Sequence, residues 1–265
     1  MIPSYFKPTT VEEALALKSE YGEHARYLGG GTIVNTERFP QPQALIDLAG
    51  LKLNQIEVRD NALFIGAGVT FQQIIDASQV PAFLKQAARQ MTNRTIRHQA
   101  TVGGQLGANQ PSSDLIPALF VADAKVVLAS GTVSIGSYVS SPGGLILGVL
   151  VAREQARRFG LEFHLRQSAD ITIVSIAVST IVNNGALKNP IIAAGCVAER
   201  VVRLARVEQA LHGRGLPAQE KVEKLISDSV TPITDVRGSA AFKKHLVGVL
   251  GYRALCQAVN DKGAE

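Results

Sequence analysis

A stretch of small residues near the middle of the chain, residues 100–119, constrains the fold more than any other segment. It reads ATVGGQLGANQPSSDLIPAL, with a glycine pair, several small polar residues, and one acidic residue directly before an apolar run. Paired glycines allow a ligand to approach the backbone closely, and consecutive exposed N–H groups bind anions. Asp114 stands where a buried acceptor would hold a hydroxyl or a ring N–H. We interpret the segment as half of a site for a phosphate-bearing cofactor.

A second glycine-rich segment is the candidate for the other half. Residues 25–28 form a short predicted strand, which runs directly into Gly29, Gly30, Gly31 and Thr32 and then into a predicted helical turn. In this order, backbone N–H groups and the Thr32 hydroxyl converge on one anion. A flexible glycine hinge is the alternative interpretation, and we favour phosphate binding.

Two familiar nucleotide-binding motifs are excluded. No Gly-Lys-Ser/Thr follows residues 29–32, so they do not form a Walker loop. Gly66 and Gly68 follow a predicted strand, but Phe71 stands where the third glycine of a dinucleotide fingerprint belongs. We therefore interpret these glycines as a turn at the end of a strand.

The remaining pattern predicts mixed α and β structure. A helix starts after Thr9 or Thr10, whose side chains can cap it, and ends near Gly22. Further helices are predicted at 70–75, 82–91, 116–121, 207–211, 218–227 and 239–259, and strands at 44–48, 53–58, 62–65, 125–128, 131–135, 144–151, 162–166, 171–182 and 187–194. Residues 153–158 are predicted to form a polar, exposed connection. From residue 161 the pattern indicates a separate α+β lobe. In its last helix, at 239–259, the helical spacing of Phe242, Leu246, Val249, Leu250 and Leu255 predicts that these residues pack in the core.

A basic group follows the helix at 82–91. It contains Arg89, Arg94, Arg97 and His98. These residues form either a solvated surface or a basic neighbourhood for an anion or a docking partner, and the sequence leaves both interpretations open.

Composition excludes several classes of function. The two cysteines, Cys196 and Cys256, are far apart, so this chain alone carries no Fe–S cluster or structural zinc site. No nucleophile motif or metal-ligating histidine pair is present, so a bound cofactor would have to carry any chemistry. The net charge of +5 is dispersed and tryptophan is absent, which gives no support for nucleic-acid binding.

Targeting signals also bear on the location of the protein. The apolar run at 171–182 is too short and too polar to span a bilayer, so we expect no membrane association. The N-terminus shows no charged-then-apolar signal pattern, and we expect a cytoplasmic protein.

Taken together, these motifs resemble a known family. Residues 5–14 (YFKPTTVEEA), 29–32 (GGGT), 96–104 (IRHQATVGG), 113–119 (SDLIPAL), 163–177 and 237–243 are similar to segments of the flavin-binding medium subunits of molybdenum hydroxylases, the xanthine dehydrogenase and carbon monoxide dehydrogenase class. The likeness covers nearly the whole chain.

The resemblance implies a fold and a division into domains. It implies an α+β fold, with a two-lobed FAD-binding domain of the vanillyl-alcohol-oxidase type over residues 1–160 and lobes at about 1–55 and 56–160. A C-terminal α+β lobe, a small sheet packed with helices, is expected over residues 161–265.

The resemblance also implies a set of FAD-binding residues. The loop from Tyr27 to Val34 would hold the pyrophosphate through backbone N–H groups, residues 101–105 would form a second wall, Asp114 would accept a hydrogen bond from a sugar hydroxyl, and two apolar residues would pack on the cofactor. The full set is Tyr27, Leu28, Gly29, Gly30, Gly31, Thr32, Ile33, Val34, Met91, Thr101, Val102, Gly103, Gly104, Gln105, Asp114 and Ile146.

The implied function is electron relay within an oxidoreductase complex. A molybdenum-cofactor large subunit would oxidise the substrate, a small [2Fe–2S] subunit would pass electrons on, and FAD in this chain would deliver them to NAD or another acceptor. A heterotrimer is expected.

Two alternatives remain open. One is a stand-alone FAD reductase of the same fold. The other is a flavin-free scaffold subunit, since Gln105 replaces an asparagine frequent in the family and Ile33 replaces an acidic or polar residue.

Overall fold

A small parallel sheet opens the chain. The computed structural model describes residues 4–34, 41–153 and 156–261. Strands β1 (Ser4–Phe6), β2 (Ala25–Leu28) and β3 (Ala44–Asp47) pair in the order β1-β3-β2, and helix α1 (Val11–Tyr21) connects the first two. The Thr10 hydroxyl accepts from the Glu13 N–H, and Glu13 bonds back to the Thr10 N–H, which confirms the predicted cap. The helix ends at Gly22, as predicted.

A five-stranded antiparallel sheet follows, in the order β4-β5-β8-β6-β7. Its strands are β4 (Ile56–Arg59), β5 (Ala62–Gly66), β6 (Lys125–Leu128), β7 (Gly131–Ser134) and β8 (Ile146–Ala152). The helices of this part of the chain are α2 (Phe71–Asp76), α3 (Ala82–Gln90), α4 (Arg94–Gln99), α5 (Val102–Ala108), α6 (Leu115–Val121) and α7 (Ile135–Ser140). Every residue of α6 is buried. The predicted strand at 53–58 starts later, at Ile56.

The third sheet is antiparallel, in the order β12-β11-β10-β9. It contains β9 (Arg157–His164), β10 (Val174–Asn183), β11 (Ala186–Gly195) and β12 (Val202–Arg203), and is joined by α8 (Ala205–Leu211), α9 (Gln219–Ser227) and α10 (Ala240–Asn260). Helix α6 packs against β10 and β11. The Ser179 hydroxyl on β10 donates to the Val121 carbonyl at 2.6 Å, which fixes this contact.

Two details of the predicted pattern in this region are wrong. Residues 157 and 158 do not belong to an exposed connection, since they pair with Ile181 and Thr180 as the start of β9. The strand predicted from residue 171 begins at Val174, after the Asp170 side chain has accepted a hydrogen bond from the Ile171 N–H. The predicted turn at residues 183–185 is confirmed, with Asn184 and Gly185 both at positive φ.

Helix α10 presents an unexpected face to the core. Its helical spacing predicts that Phe242 is buried, but this ring is 42% exposed. The neighbouring Lys243 is 2% exposed instead, and its ammonium lies 2.8 Å from the Asp235 carboxylate. An ion pair between the helix and the preceding loop therefore lies at this buried position. Among the described residues, no helix is long and apolar enough to cross a membrane.

Close packing of β9 on α10 leads to a first prediction. A Cβ at Gly160 would lie 1.9 Å from the Ala254 carbonyl oxygen. We expect Gly160→Ala to lower the free energy of unfolding by about 1–3 kcal/mol, measured by urea denaturation, because backbone must move to admit the methyl group. Gly143→Ala is the matched control, since nothing lies within 4 Å of a Cβ there. Equal unfolding midpoints for the two variants would contradict this account.

Candidate cofactor site

The first glycine segment leaves the carboxyl end of the parallel strand β2. Gly29 and Gly30 form a bend, Gly31 is exposed with φ +75°, and residues 32–34 form a turn. Among the described residues, no hydrogen bond uses the backbone N–H of Gly29, Gly30, Gly31 or Thr32. Unpaired N–H groups at a strand end can bind an oxyanion. This loop therefore has free donors of the kind that a pyrophosphate needs.

The structure brings the two glycine segments into direct contact. A Cβ at Gly29 would lie 2.7 Å from the Thr101 hydroxyl oxygen, and a Cβ at Gly30 would lie 1.6 Å from the Gln99 carbonyl oxygen. Any side chain at Gly30 would force the segments apart. Residues separated by about 70 positions in the sequence thus form one continuous surface.

The second segment does not offer the row of free N–H groups that the sequence predicts. Thr101 is the N-cap of α5, and its hydroxyl accepts from the Gly104 N–H at 3.1 Å. The Val102 N–H donates to the Val69 carbonyl and the Gly103 N–H to the Ala67 carbonyl. This expectation is wrong because the strand-end turn and the adjacent Val69 take the donors of Gly103 and Val102, and Thr101 takes that of Gly104. Residues 101–104 support the first loop instead of presenting an anion cradle.

That turn is the one formed by residues 66–68, in agreement with its interpretation as a strand end. A Cβ at Gly103 would lie 2.8 Å from the Ala67 side chain, so α5 is seated directly on the turn. Gly66 is equally confined, since a Cβ there would lie 2.2 Å from the Leu53 carbonyl oxygen. The glycines in this region serve close packing.

Asp114 is buried, as predicted, but its hydrogen-bond partner comes from a distant segment. It is 6% exposed, and the Thr172 hydroxyl, which lies just before β10, donates to its Oδ1 atom at 2.6 Å. Burial raises the pKa of Asp114 to about 7, against the opposing effect of the Thr172 hydrogen bond. Nothing in the sequence near Asp114 indicates Thr172. The carboxyl group links α6 to the third sheet.

The other predicted site residues lie on several elements. Ile146 starts β8 and belongs to the main core, and the half-buried Met91 packs against the same core after α3. Gln105 is buried on α5, whereas Ile33 and Val34 are half-buried in the turn after Gly31. Tyr27 and Leu28 are the last two residues of β2, directly before the glycine loop.

The four basic residues of the sequence separate into two environments. Arg94 and His98 are exposed on α4. Arg89 and Arg97 line a groove shared with residues 163–165 and 167–169. Arg97 Nη1 donates to the Met91 carbonyl at 3.1 Å. Arg97 thus fixes the backbone of Met91, a role that the sequence does not indicate.

Comparison with known proteins identifies the family. Residues 2–148 match the family described as the FAD binding domain in molybdopterin dehydrogenase, and residues 161–258 match the CO dehydrogenase flavoprotein C-terminal domain. The chain belongs to this flavoprotein family. The family model matches more than half of the chain, and it includes both glycine segments and Asp114.

Individual relatives match over the full length. The uncharacterized protein YgfM of Escherichia coli K12 is 34% identical over 253 residues, covering 94% of each chain. A putative xanthine dehydrogenase FAD-binding subunit, XdhB, of the same strain is 26% identical, with 99% of this chain and 98% of the relative covered. A carbon monoxide dehydrogenase chain from Hydrogenophaga pseudoflava has a TM-score of 0.89 at 26% identity, with 97% and 98% covered. These matches confirm the α+β flavoprotein fold and the predicted family.

The buried carboxyl group of Asp114 leads to a prediction of how the stability of the fold depends on pH. Because its folded pKa of about 7 lies above the unfolded value of about 4, the folded chain holds a proton that the unfolded chain has released. The resulting contribution to stability is complete below pH ~4 and is lost as the pH rises towards 7, with a slope of at most about 1.4 kcal/mol per pH unit. Asp114→Asn, which is neutral throughout and keeps an acceptor for Thr172, should remove this loss in urea unfolding between pH 5 and 8.

The exposed Asp60 supplies the control. Asp60→Asn should leave the pH profile of the wild type unchanged. A profile of Asp114→Asn parallel to that of the wild type would show that burial does not set the charge of Asp114.

Proposed function

We propose that this chain is the FAD-binding electron-transfer subunit of a molybdenum hydroxylase. The observation that carries the proposal is the loop after β2, where the N–H groups of residues 29–32 have no partner within the described chain. The loop lies against the second glycine segment, inside the region that matches the family's FAD-binding domain. Backbone N–H groups without partners, in a region that matches an FAD-binding domain, are suited to bind the pyrophosphate of FAD.

The residues present fit FAD with divided roles. The backbone of the loop from Tyr27 to Val34 would bind the pyrophosphate, and Thr101 to Gln105 would hold that loop in position. Asp114 would face a hydroxyl of the ribityl chain or the ribose, while Met91 and Ile146 would provide apolar contact. When bound, FAD would supply the capacity to accept and release electrons.

Domain organisation forms part of this proposal. Residues 1–160 would form the FAD-binding domain, with lobes at about 1–55 and 56–160, and residues 161–265 the C-terminal lobe. The predicted division falls inside β9 (Arg157–His164), the edge strand of the third sheet.

Partners are proposed from the named relatives. XdhB is described as a putative FAD-binding subunit of xanthine dehydrogenase, and another relative is a medium chain of carbon monoxide dehydrogenase. By analogy, this chain would receive electrons from a small [2Fe–2S] subunit, beside a large subunit with the molybdenum cofactor, and deliver them to NAD or another acceptor. A heterotrimer in the cytoplasm is the expected assembly.

The visible spectrum of the purified chain, before and after addition of FAD, tests the proposal. Flavin absorption that remains after gel filtration, close to one FAD per chain, is the expected result. No retention at high FAD concentration would overturn the proposal and leave the scaffold function. Co-purification of a molybdenum subunit and an [2Fe–2S] subunit would separate the electron-transfer subunit from a stand-alone reductase.

Gly31 gives the corresponding variant. Its φ of +75° is unfavourable for a β-branched residue, so Gly31→Val should displace the N–H groups of the loop. We expect FAD affinity to fall at least about tenfold in a fluorescence titration, since a hydrogen bond to a charged group contributes about 1.5–3 kcal/mol.

Gly213→Val is the matched control. Gly213 is also exposed, has a φ of +76°, and lies in the loop after α8. Gly213→Val should lose about as much folding stability as Gly31→Val, because both glycines have a positive φ, but its FAD affinity should be unchanged. Equal loss of FAD affinity in the two variants would place the pyrophosphate elsewhere.

A further inference from the structure

Two strongly exposed aliphatic side chains lie on the loop that leads into α10. Val236 is 93% exposed and Ile233 is 72% exposed. Asp235 and Gly238 exchange backbone hydrogen bonds of 3.1 and 3.2 Å, which closes a tight turn with Val236 at its tip. Turns of this kind favour glycine, proline and small polar residues, so the turn itself does not require a valine. We call residues 233–238 the apolar turn.

An ion pair holds the apolar turn in place. The buried Lys243 ammonium lies 2.8 Å from the Asp235 carboxylate and donates to the Ile233 carbonyl at 3.2 Å. Asp235 also accepts from the Arg237 N–H at 2.9 Å, and the Arg237 guanidinium lies 3.5 Å from its second carboxylate oxygen. A surface that is already ordered loses little conformational entropy when it binds a partner.

The exposed apolar surface extends beyond the apolar turn to α10. A Cβ at Gly238 would lie 3.0 Å from the ring of Phe242, so this partly exposed ring packs directly against the turn. Single exposed apolar residues are common on protein surfaces, whereas a contiguous group indicates a contact with another molecule. Ile233, Val236 and Phe242 form such a group.

A concave apolar surface lies at the other end of the chain. A groove of about 370 Å³ runs along α1, and we call it the α1 groove. The ring of Phe6 in this groove is supported by Tyr21, with 5.3 Å between the ring centroids. The apolar lining is formed by Phe6, Pro8, Ala16 and Leu17.

The charges of the two surfaces are opposite. The α1 groove is bordered by the carboxylates of Glu13 and Glu20 and by one ammonium group, that of Lys7. The apolar turn has two cationic side chains around one carboxylate, as described above. Two apolar turns facing each other would therefore repel, whereas an apolar turn and an α1 groove attract each other.

We propose that the α1 groove of one copy of this chain receives the apolar turn of a second copy. Ile233 and Val236 would fill the apolar lining, and Arg237 would lie towards the carboxylates at its border. Two copies that each give their turn to the other form a closed dimer. Neither surface includes a residue proposed to hold FAD, so this contact does not depend on the proposed function.

Sedimentation velocity of the full-length chain over a wide range of concentrations tests the proposal. The wild type should self-associate. Val236→Asp places a carboxylate on the turn, and Ala16→Arg fills the groove and reverses its charge. Both residues are exposed, so neither change should disturb the fold. Each variant should raise the dissociation constant of self-association at least about tenfold, as expected for a central residue of an interface.

Val58→Asp is the matched control. Val58 is an exposed valine on the edge strand β4, outside both surfaces, and its replacement adds the same charge. The dissociation constant of this variant should stay within about twofold of the wild type, as for a screened surface charge. Equal weakening in Val58→Asp and Val236→Asp would show a non-specific effect of charge and overturn the proposal.

Mixing the two interface variants gives the decisive result. The Val236→Asp chain keeps an intact α1 groove, and the Ala16→Arg chain keeps an intact apolar turn. An equal mixture should therefore form a one-to-one complex under conditions in which each variant alone is monomeric. No complex in the mixture overturns the proposal. A wild type that stays monomeric at every concentration also overturns it and leaves the apolar turn as a contact for a different protein.

Discussion

The Gln99 carbonyl oxygen occupies the space where a side chain at Gly30 would begin. This contact joins the parallel sheet to the helical layer of the second sheet, and the position of both glycine segments depends on it. Because a backbone carbonyl forms the obstacle, no rotation of a side chain can relieve it. The requirement for glycine at residue 30 is therefore set by packing before any cofactor is considered.

The two glycine segments consequently differ in function although they look alike in sequence. Around Gly103, each backbone donor is already committed to Ala67, Val69 or Thr101, which makes that segment rigid. The loop at residues 29–32 lies against this rigid surface with its donors free. The segment around Gly103 is already fixed by its own hydrogen bonds, and the loop at residues 29–32 still has N–H groups to donate. Binding of an anion would therefore cost little conformational entropy in the segment around Gly103.

Local features of the site were predictable from sequence, whereas pairings between distant segments were not. A strand followed by three glycines is a local pattern, and the capped start of α1 depends on Thr10 and Glu13 alone. The donors of residues 102–103 find partners in a turn about 35 positions earlier, and Asp114 finds Thr172 58 positions later. Periodicity likewise placed Phe242 in the core, because nothing local reveals that Asp235 pairs with the buried Lys243.

Helix α6 links the region that matches the FAD-binding domain, residues 2–148, to the region that matches the C-terminal domain, residues 161–258. All seven of its residues are buried, and part of their cover is the sheet formed by β10 and β11, with Ser179 bonded to the Val121 carbonyl. Residues 149–160 lie between the two regions that match family domains. Because α6 in the first region is covered by strands of the second, we do not expect the first region to fold alone. A fragment that ends there would carry both glycine segments and also an uncovered apolar helix, which favours aggregation over cofactor binding.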